Sequence, residues 1–498
     1  MADIALAFSL VLDPYVLAVI LGSAVFGLFV GAIPGLTATM ATALLVPVTF
    51  FMPPVPAVAA IVTATAMAIF AGDIPGALLR MPGTPASAAY TDEAYAMTKK
   101  GLAELVLGAG LVFSAIGGIF GTIVLVTAAP SLAEVALNFS SFEYFWLVLL
   151  GLTCAVFIAS DRPLKGMVAL LLGLLVSCVG LNNPAAFPRF TFGNTDLMGG
   201  INFIPMMIGM FAVSEVLRYV TSKELPLQVA QEKIGNVFRG QWQLVKQYPL
   251  AIVRGSSVGT LIGALPGAGA DIAAWISYAI SKRFSKTPEK FGTGHVEGVI
   301  ESGAANNGAL SGAWIPALVF GIPGDSITAI AIGVLYMKGM NPGPTIFINN
   351  PENIYAVFIV FFLANLLMIP LGLLAIKSYK QVLRVPRHML MPIILTFCMV
   401  GAFAINNTPF DIGVMLVAGV IAFFMERNGF PIAPAILGVV LGGMLEENFA
   451  TSVIKAEGNL GAFFERPIAA GLGVFAILVW LSPLVIWWWR RRGRPVTA

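Results

Sequence analysis

The chain has 498 residues, 58% of them hydrophobic and 11% charged, with a net charge of +3. Soluble domains carry roughly 25% charged residues, so a soluble globular enzyme is excluded, and 35 Phe exclude a solvated disordered chain. What remains is an all-α polytopic membrane protein, with an excess of helix-weakening residues (52 Gly, 32 Pro) that a plain bundle of apolar helices does not explain.

Apolar stretches of about 17–25 residues predict spans, since the hydrocarbon core is about 30 Å thick. In chain order, segment 15–51 is interrupted by Pro34-Gly35, and segment 57–101 by Pro-Gly pairs at 75–76 and 82–83. Clean spans follow near 102–129, 142–159, 163–181 and 201–219. Segment 250–281 is then interrupted by Pro266-Gly267, and segment 303–337 by Pro323-Gly324. Further spans are predicted near 352–376, 389–406, 411–425 (a short one), 430–446 and 468–488. The expectation is about 11 spans plus Pro-Gly-broken or re-entrant helical hairpins.

Lys and Arg cluster at Lys99/Lys100, Arg162/Lys165, Arg218 to Arg254, Lys377 to Arg387 and Arg490 to Arg494. The positive-inside rule makes these loops cytoplasmic, with the N-terminus periplasmic and the C-terminus cytoplasmic behind a Trp487–Trp489 anchor. No removable signal peptide is expected. Cys154, Cys178 and Cys398 lie in apolar runs and read as small buried hydrophobes.

An internal repeat is the most informative pattern. GLFVGAIPGLTA at 27–38 matches GTLIGALPGAGA at 259–270 in six of twelve positions, and IPGALLRMPG at 74–83 matches IPALVFGIPG at 315–324 in four of ten. The offsets are 232 and 241 residues. With the predicted spans, the first copy begins outside and the second inside, an inverted-topology repeat as in secondary transporters. The expected organisation is a first transmembrane repeat (1–222), a cytoplasmic linker (223–249) and a second repeat with an extra C-terminal span (250–498).

Breaking a helix inside a membrane frees backbone groups that protein, water or ligand must satisfy. Freed N–H groups attract anions, while carbonyls and side-chain oxygens suit Na⁺. The candidate substrate-binding residues of the first half are therefore Gly31, Pro34, Gly35, Thr37, Thr39, Pro82, Gly83, Thr84 and Ser87. Those of the second half are Gly263, Pro266, Gly267, Gly269, Asn306, Asn307, Pro323, Gly324, Ser326 and Thr328. Thr37 or Thr39, Thr84, and Asp325 or Ser326 are also natural helix caps, and glycine stretches also serve close packing. Ionisable residues in apolar segments are functional candidates. Asp73, Asp271 and Asp325 are candidates for a coupling ion, Na⁺ or H⁺; Glu215 joins the list, and Arg80 and Arg254 are read as snorkelling to the interface. No metal-ligand spacing and no phosphate-binding loop occurs, so no cofactor, no metal beyond Na⁺ and no nucleic-acid partner is expected.

GAIPGLTATMATALLVPVTF at 31–50, GALPGAGADIAAWISYAISKRF at 263–284 and the NNG run at 306–308 resemble the large membrane subunit (TctA) of tripartite tricarboxylate transporters over essentially the whole chain. The resemblance implies a bacterial inner-membrane carrier working with a small membrane subunit (TctB) and a periplasmic solute-binding protein (TctC). It implies import of citrate-like tricarboxylates, or of di- or aromatic carboxylates, with Na⁺ or H⁺. The rival readings are a carboxylate-permeable channel, an intramembrane enzyme using Asp271 with Asp325, and an assembly scaffold.

Overall fold

The structure is a computed structural model describing residues 2–157, 162–181, 187–221, 234–267, 269–382 and 387–492. Side chains at 2, 155, 157, 271, 380, 387 and 388, and from 482 onward, lie outside that description. So do the side chains of the expected Trp487–Trp489 anchor and of the arginines behind it.

Among the described residues the chain is helical, apart from one antiparallel bridge between Gly180 and Arg189. In the first half, α1 (Ala2–Val11) leads into α2 (Pro14–Ala32), α3 (Ala38–Thr49), α4 (Pro54–Ala71), α5 (Asp73–Leu79) and α6 (Ala88–Lys99). Then come α7 (Ala103–Ala136), α8 (Ser141–Phe157), α9 (Pro163–Ser177) and α10 (Phe203–Thr221). The second half repeats the order with α11 (Gln241–Gln247), α12 (Pro249–Gly263), α13 (Gly269–Phe284), α14 (Val296–Phe320) and α15 (Ser326–Met337). After a single turn, α16 (Ile346–Asn349), follow α17 (Pro351–Val382), α18 (Arg387–Asn406), α19 (Pro409–Arg427), α20 (Ile432–Lys455) and α21 (Pro467–Arg492).

Among the described residues, eight helices are long and apolar enough to cross a membrane, and five shorter apolar ones accompany them. Two of the shorter ones are the half-helices α3 and α15; the other three cover the predicted spans near 142–159, 163–181 and 468–488. The segment predicted as short at 411–425 is a full 19-residue helix, because Pro409 starts it earlier and it runs on to Arg427. The Pro-Gly pairs do not all break the chain. Pro75 lies within α5, which follows α4 after Gly72 alone; its counterpart in the repeat, Pro316, is followed by Ala317 and lies inside the uninterrupted α14. The four breaks fall at Pro34-Gly35, Pro82-Gly83, Pro266-Gly267 and Pro323-Gly324.

Part of the expected linker, residues 222–233, lies outside the described residues. The rest docks on α7: Glu104 accepts the Gly235 N–H at 2.6 Å, and Gln241 Nε2 donates to the Leu105 carbonyl at 3.0 Å.

The repeat is visible in the packing. A Cβ on Gly31 would lie 2.4 Å from the Ala68 carbonyl oxygen, and one on Gly263 would lie 2.2 Å from that of Ala309. A Cβ on Gly83 would meet Gly72 Cα at 2.5 Å, and one on Gly324 would meet Ala313 Cα at 2.8 Å. Each partner pair keeps the offsets seen in the sequence. The helix before each second break also ends alike: Arg80 and its counterpart Gly321 are both left-handed. The glycines thus let α2 lie on α4, and α12 on α14, at backbone contact, as small residues do between membrane helices.

Candidate functional site

Each break builds a helix start. Pro34 and Gly35 (φ +89°) end the first half-helix, and Thr37 then caps α3, its side chain accepting the Met40 N–H at 3.3 Å. Gly267 (φ +78°) plays the part of Gly35 ahead of α13. At the second break, Thr84 Oγ1 accepts the Ser87 N–H and Ser87 Oγ accepts the Thr84 N–H, both at 3.1 Å. The corresponding pair in the second copy is a full capping box. There Asp325 Oδ1 accepts the Thr328 N–H at 2.8 Å, and Thr328 Oγ1 accepts the Asp325 N–H at 2.9 Å. In the first copy the reciprocal pair closes a turn, and α6 proper begins only at Ala88.

These starts converge on one cavity of about 260 Å³. Thr37, Thr39, Thr84, Asn306, Asp325 and Ser326 line it, all of them anticipated from the sequence. Thr39 Oγ1 and Ser326 Oγ lie 3.3 Å apart, so the two halves touch through their hydroxyls. The start of α13 also lies against the Asp325 side chain that caps α15. That approach depends on Gly269, where a Cβ would fall 2.6 Å from the Asp325 Cβ. Trp275 Nε1 donates across to the Pro85 carbonyl at 3.2 Å.

Other anticipated residues shape the site without lining it. Pro34, Gly35, Pro82, Gly83, Pro266, Gly267, Pro323 and Gly324 make the turns, and Gly31 and Gly263 make the helix contacts. Ser87 and Thr328 serve the caps. Asn307 faces away from the cavity: its amide donates to the Ala66 carbonyl at 3.2 Å. Asp73 is buried behind the cavity rather than in it, accepting the Tyr90 hydroxyl at 2.5 Å. Asp271 opens α13, and its side chain lies outside the described residues.

The sequence reading missed part of the wall. Phe211, Ser214, Glu215 and Arg218 on α10 and Glu426 on α19 complete the lining; of these only Glu215 was anticipated. Arg218 pairs with Glu215 and is the one basic side chain among the described residues lining the cavity. It escaped notice because it belongs to a run of basic residues read as a cytoplasmic loop. The π-helical turn Gly209–Val213 just before it also re-phases α10, which helical periodicity cannot foresee.

Arg254 does more than snorkel. It pairs with both carboxylate oxygens of Glu301, at 2.7 and 2.5 Å, and the Glu301 side chain is fully buried. Arg80 pairs with Asp92 in the open. A second, polar cavity of about 530 Å³ lies at the opposite ends of α10 and α19, lined by Asp196, Asn202, Thr408 and Asp411 among others. Among the described residues, no group of three or more His, Cys, Asp or Glu is placed to hold a metal ion.

Comparison with known proteins agrees with this architecture. The model of the Tripartite tricarboxylate transporter TctA family matches residues 17–437. An uncharacterized 52.8 kDa protein of the TAR-I ttuC' 3' region of Agrobacterium vitis is 33% identical over 487 residues, covering 97% of each chain. An uncharacterized protein of the TAR-II ttuC' 3' region of the same organism is 36% identical over 230 residues, 46% of this chain and 95% of its own. No solved structure matches. With the match running through both sets of broken helices, the chain belongs to the tripartite tricarboxylate transporter TctA family.

Proposed function

We propose that the protein is the large membrane subunit of an ion-coupled importer of small carboxylates, citrate-like tricarboxylates or related di- and aromatic acids. It works in the bacterial inner membrane with a small membrane subunit and a periplasmic solute-binding protein. The observation that carries this reading is the cavity itself. Ends of broken helices from both halves meet there, with the Thr39 and Ser326 hydroxyls in contact and Arg218 at the wall. First-turn N–H groups and hydroxyls suit a carboxylate, and a guanidinium binds one through two hydrogen bonds.

A volume of about 260 Å³ admits a small acid and excludes a large one. With the expected orientation, Arg218 and Glu426 stand toward the cytoplasm and the site is open inward. The second cavity, of about 530 Å³, then stands toward the periplasm. The two halves have inverted topology, and transport exchanges access between the two sides. Asp325 acts as the cap of α15, its Oδ1 already engaged by the Thr328 N–H and hydroxyl, rather than as a cation ligand.

The test is uptake of labelled citrate, and of a panel of di- and aromatic acids, into proteoliposomes. The reconstituted system includes the small subunit and binding protein, under an inward Na⁺ or H⁺ gradient. Saturable, gradient-dependent uptake is expected. No uptake of any carboxylate under either gradient sinks the proposal.

A further inference from the structure

Behind the cavity wall lies a buried polar chain that the substrate site does not use. Asn306 lines the cavity and donates from Nδ2 to the Tyr90 hydroxyl at 3.2 Å, and that hydroxyl donates to Asp73 Oδ1 at 2.5 Å. Asp73 is 8% exposed, Tyr90 2% and Asn306 1%. Asp73 Oδ2 and Asn306 Oδ1 are buried with no hydrogen-bond partner. Beside Asp73 is a space of about 10 Å³, room for about one water.

The surroundings of Asp73 contain no counter-charge. α6 presents Ser87, Tyr90 and Thr91, α7 presents Val106, Leu107 and Gly110, and α14 presents Val299. Apart from Asp73 itself, Tyr90 is the one titratable side chain among the described residues lining the space. The other carboxylates on these helices lie elsewhere: Asp92 pairs with Arg80, Glu93 accepts from Tyr278 and the Gly294 and His295 N–H groups, Glu104 from the Gly235 N–H, Glu297 from Ser285, Glu301 pairs with Arg254, and Glu134 lines a separate cavity. An ionised carboxylate with one oxygen orphaned in such a place carries a large desolvation cost.

We propose that Asp73 is the proton-binding site of the carrier, taking up one proton with the carboxylate anion and releasing it on the other side. This rests on the carboxylate-importer reading and names its coupling ion. Water from the cavity delivers the proton; one O–H bond forms at the Asp73 carboxylate, the donor hydronium becomes water, and nothing else is made or broken. While Asp73 is ionised, Tyr90 gives it a charge-assisted hydrogen bond and the Asn306 amide is committed to Tyr90. Protonation removes that assistance and frees Asn306 for the anion in the cavity. Proton and anion therefore favour each other's binding, reciprocally. A sodium ion would have to separate Tyr90 from Asp73, since the adjoining space holds about one water.

The experiment uses the full-length protein in nanodiscs. Infrared spectra across a pH titration should contain the carbonyl band of a buried protonated carboxylic acid that is absent from Asp73→Asn. Adding citrate in weak buffer should take up about one proton per citrate bound in the unmodified protein and none in Asp73→Asn. Tyr90→Phe leaves the Asn306 amide uncommitted at every pH, so it should bind citrate at least as tightly as the unmodified protein does at low pH and lose the Asp73-dependent pH response; elution and melting profiles establish that both variants are folded. Proton uptake or the acid band persisting in Asp73→Asn overturns the proposal. So does citrate binding by the unmodified protein with no proton taken up, or an Asp73-dependent gain in citrate affinity on adding Na⁺ at fixed pH. Failure to bind any carboxylate overturns the transport reading instead, and the infrared arm still decides whether Asp73 carries the proton.

Discussion

Gly31→Ala and Gly263→Ala should destabilise the protein, whereas Gly22→Ala, earlier on α2, should not. The new methyl would sit 2.4 Å from the Ala68 carbonyl oxygen in the first case and 2.2 Å from that of Ala309 in the second, but would meet nothing within 4 Å at Gly22. A normal carbon–oxygen contact requires α2 and α4, or α12 and α14, to move apart by about 1 Å. Overpacking costs about 1–3 kcal/mol, and here both sides of the contact are backbone, so the upper half applies. At about 1.4 kcal/mol per tenfold, the folding equilibrium shifts roughly 25- to 150-fold. Gly22→Ala instead gains helix propensity, up to about 1 kcal/mol. Unfolding by SDS in mixed micelles, followed by circular dichroism, measures all three. The strain also reaches the site, because a Cβ on Gly324 would lie 2.8 Å from the Gly263 carbonyl oxygen, so separating α12 displaces the 321–325 break. Citrate uptake per folded molecule of Gly263→Ala should fall at least tenfold. Equal unfolding midpoints for Gly22→Ala and Gly31→Ala would refute the close-contact argument.

Two further predictions concern the cavity. Arg218→Gln should weaken citrate binding by about 10- to 150-fold, the worth of a charge-assisted hydrogen bond of about 1.5–3 kcal/mol, with Arg218→Lys intermediate; an unchanged dissociation constant by calorimetry would remove Arg218 from the site. Asp325→Asn keeps an N-cap while deleting a negative charge beside the bound anion, so melting should be unchanged and citrate should bind about tenfold tighter. Weaker binding with intact melting would instead make Asp325 a cation ligand.

Much of this was legible in the sequence, for physical reasons that particular residues illustrate. Pro34-Gly35 and Pro266-Gly267 announce breaks because Pro lacks a donor and Gly admits the left-handed backbone that a tight turn needs. The Thr37 and Asp325 caps follow from side chains that can accept an N–H two or three residues on. Pro75 misled, since neighbouring helices in a membrane re-satisfy what a proline frees and the helix carries on. Arg218 and Glu426 were illegible for a different reason. They come from helix ends far from every motif in the chain, brought to the cavity by tertiary packing and, for Arg218, by the π-turn at Gly209–Val213. Glu301 was passed over because a fully buried charge is recognisable only with its partner Arg254 in view.

The two copies of the repeat agree where they pack and differ where they face the cavity. Gly31 and Gly263 are the same residue in the same contact, as are Gly83 and Gly324. Around the cavity, Thr84 corresponds to Asp325, Thr37 to Gly269 and Thr65 to Asn306; behind it, Asp73 corresponds to Trp314. Identical packing with divergent chemistry gives a symmetric frame around an asymmetric site. In the second half the start of α15 already has a carboxylate, that of Asp325, on the Thr328 N–H. In the first half the caps are neutral hydroxyls, which leave the positive end of α3 uncompensated. On the proposed carboxylate-import reading, an incoming anion should therefore be drawn to the Thr37–Thr39 side, with Arg218 as its second anchor. Asp325 turns away any second anion from the opposite wall, so a tricarboxylate should enter with one end fixed and its orientation set before the halves exchange access.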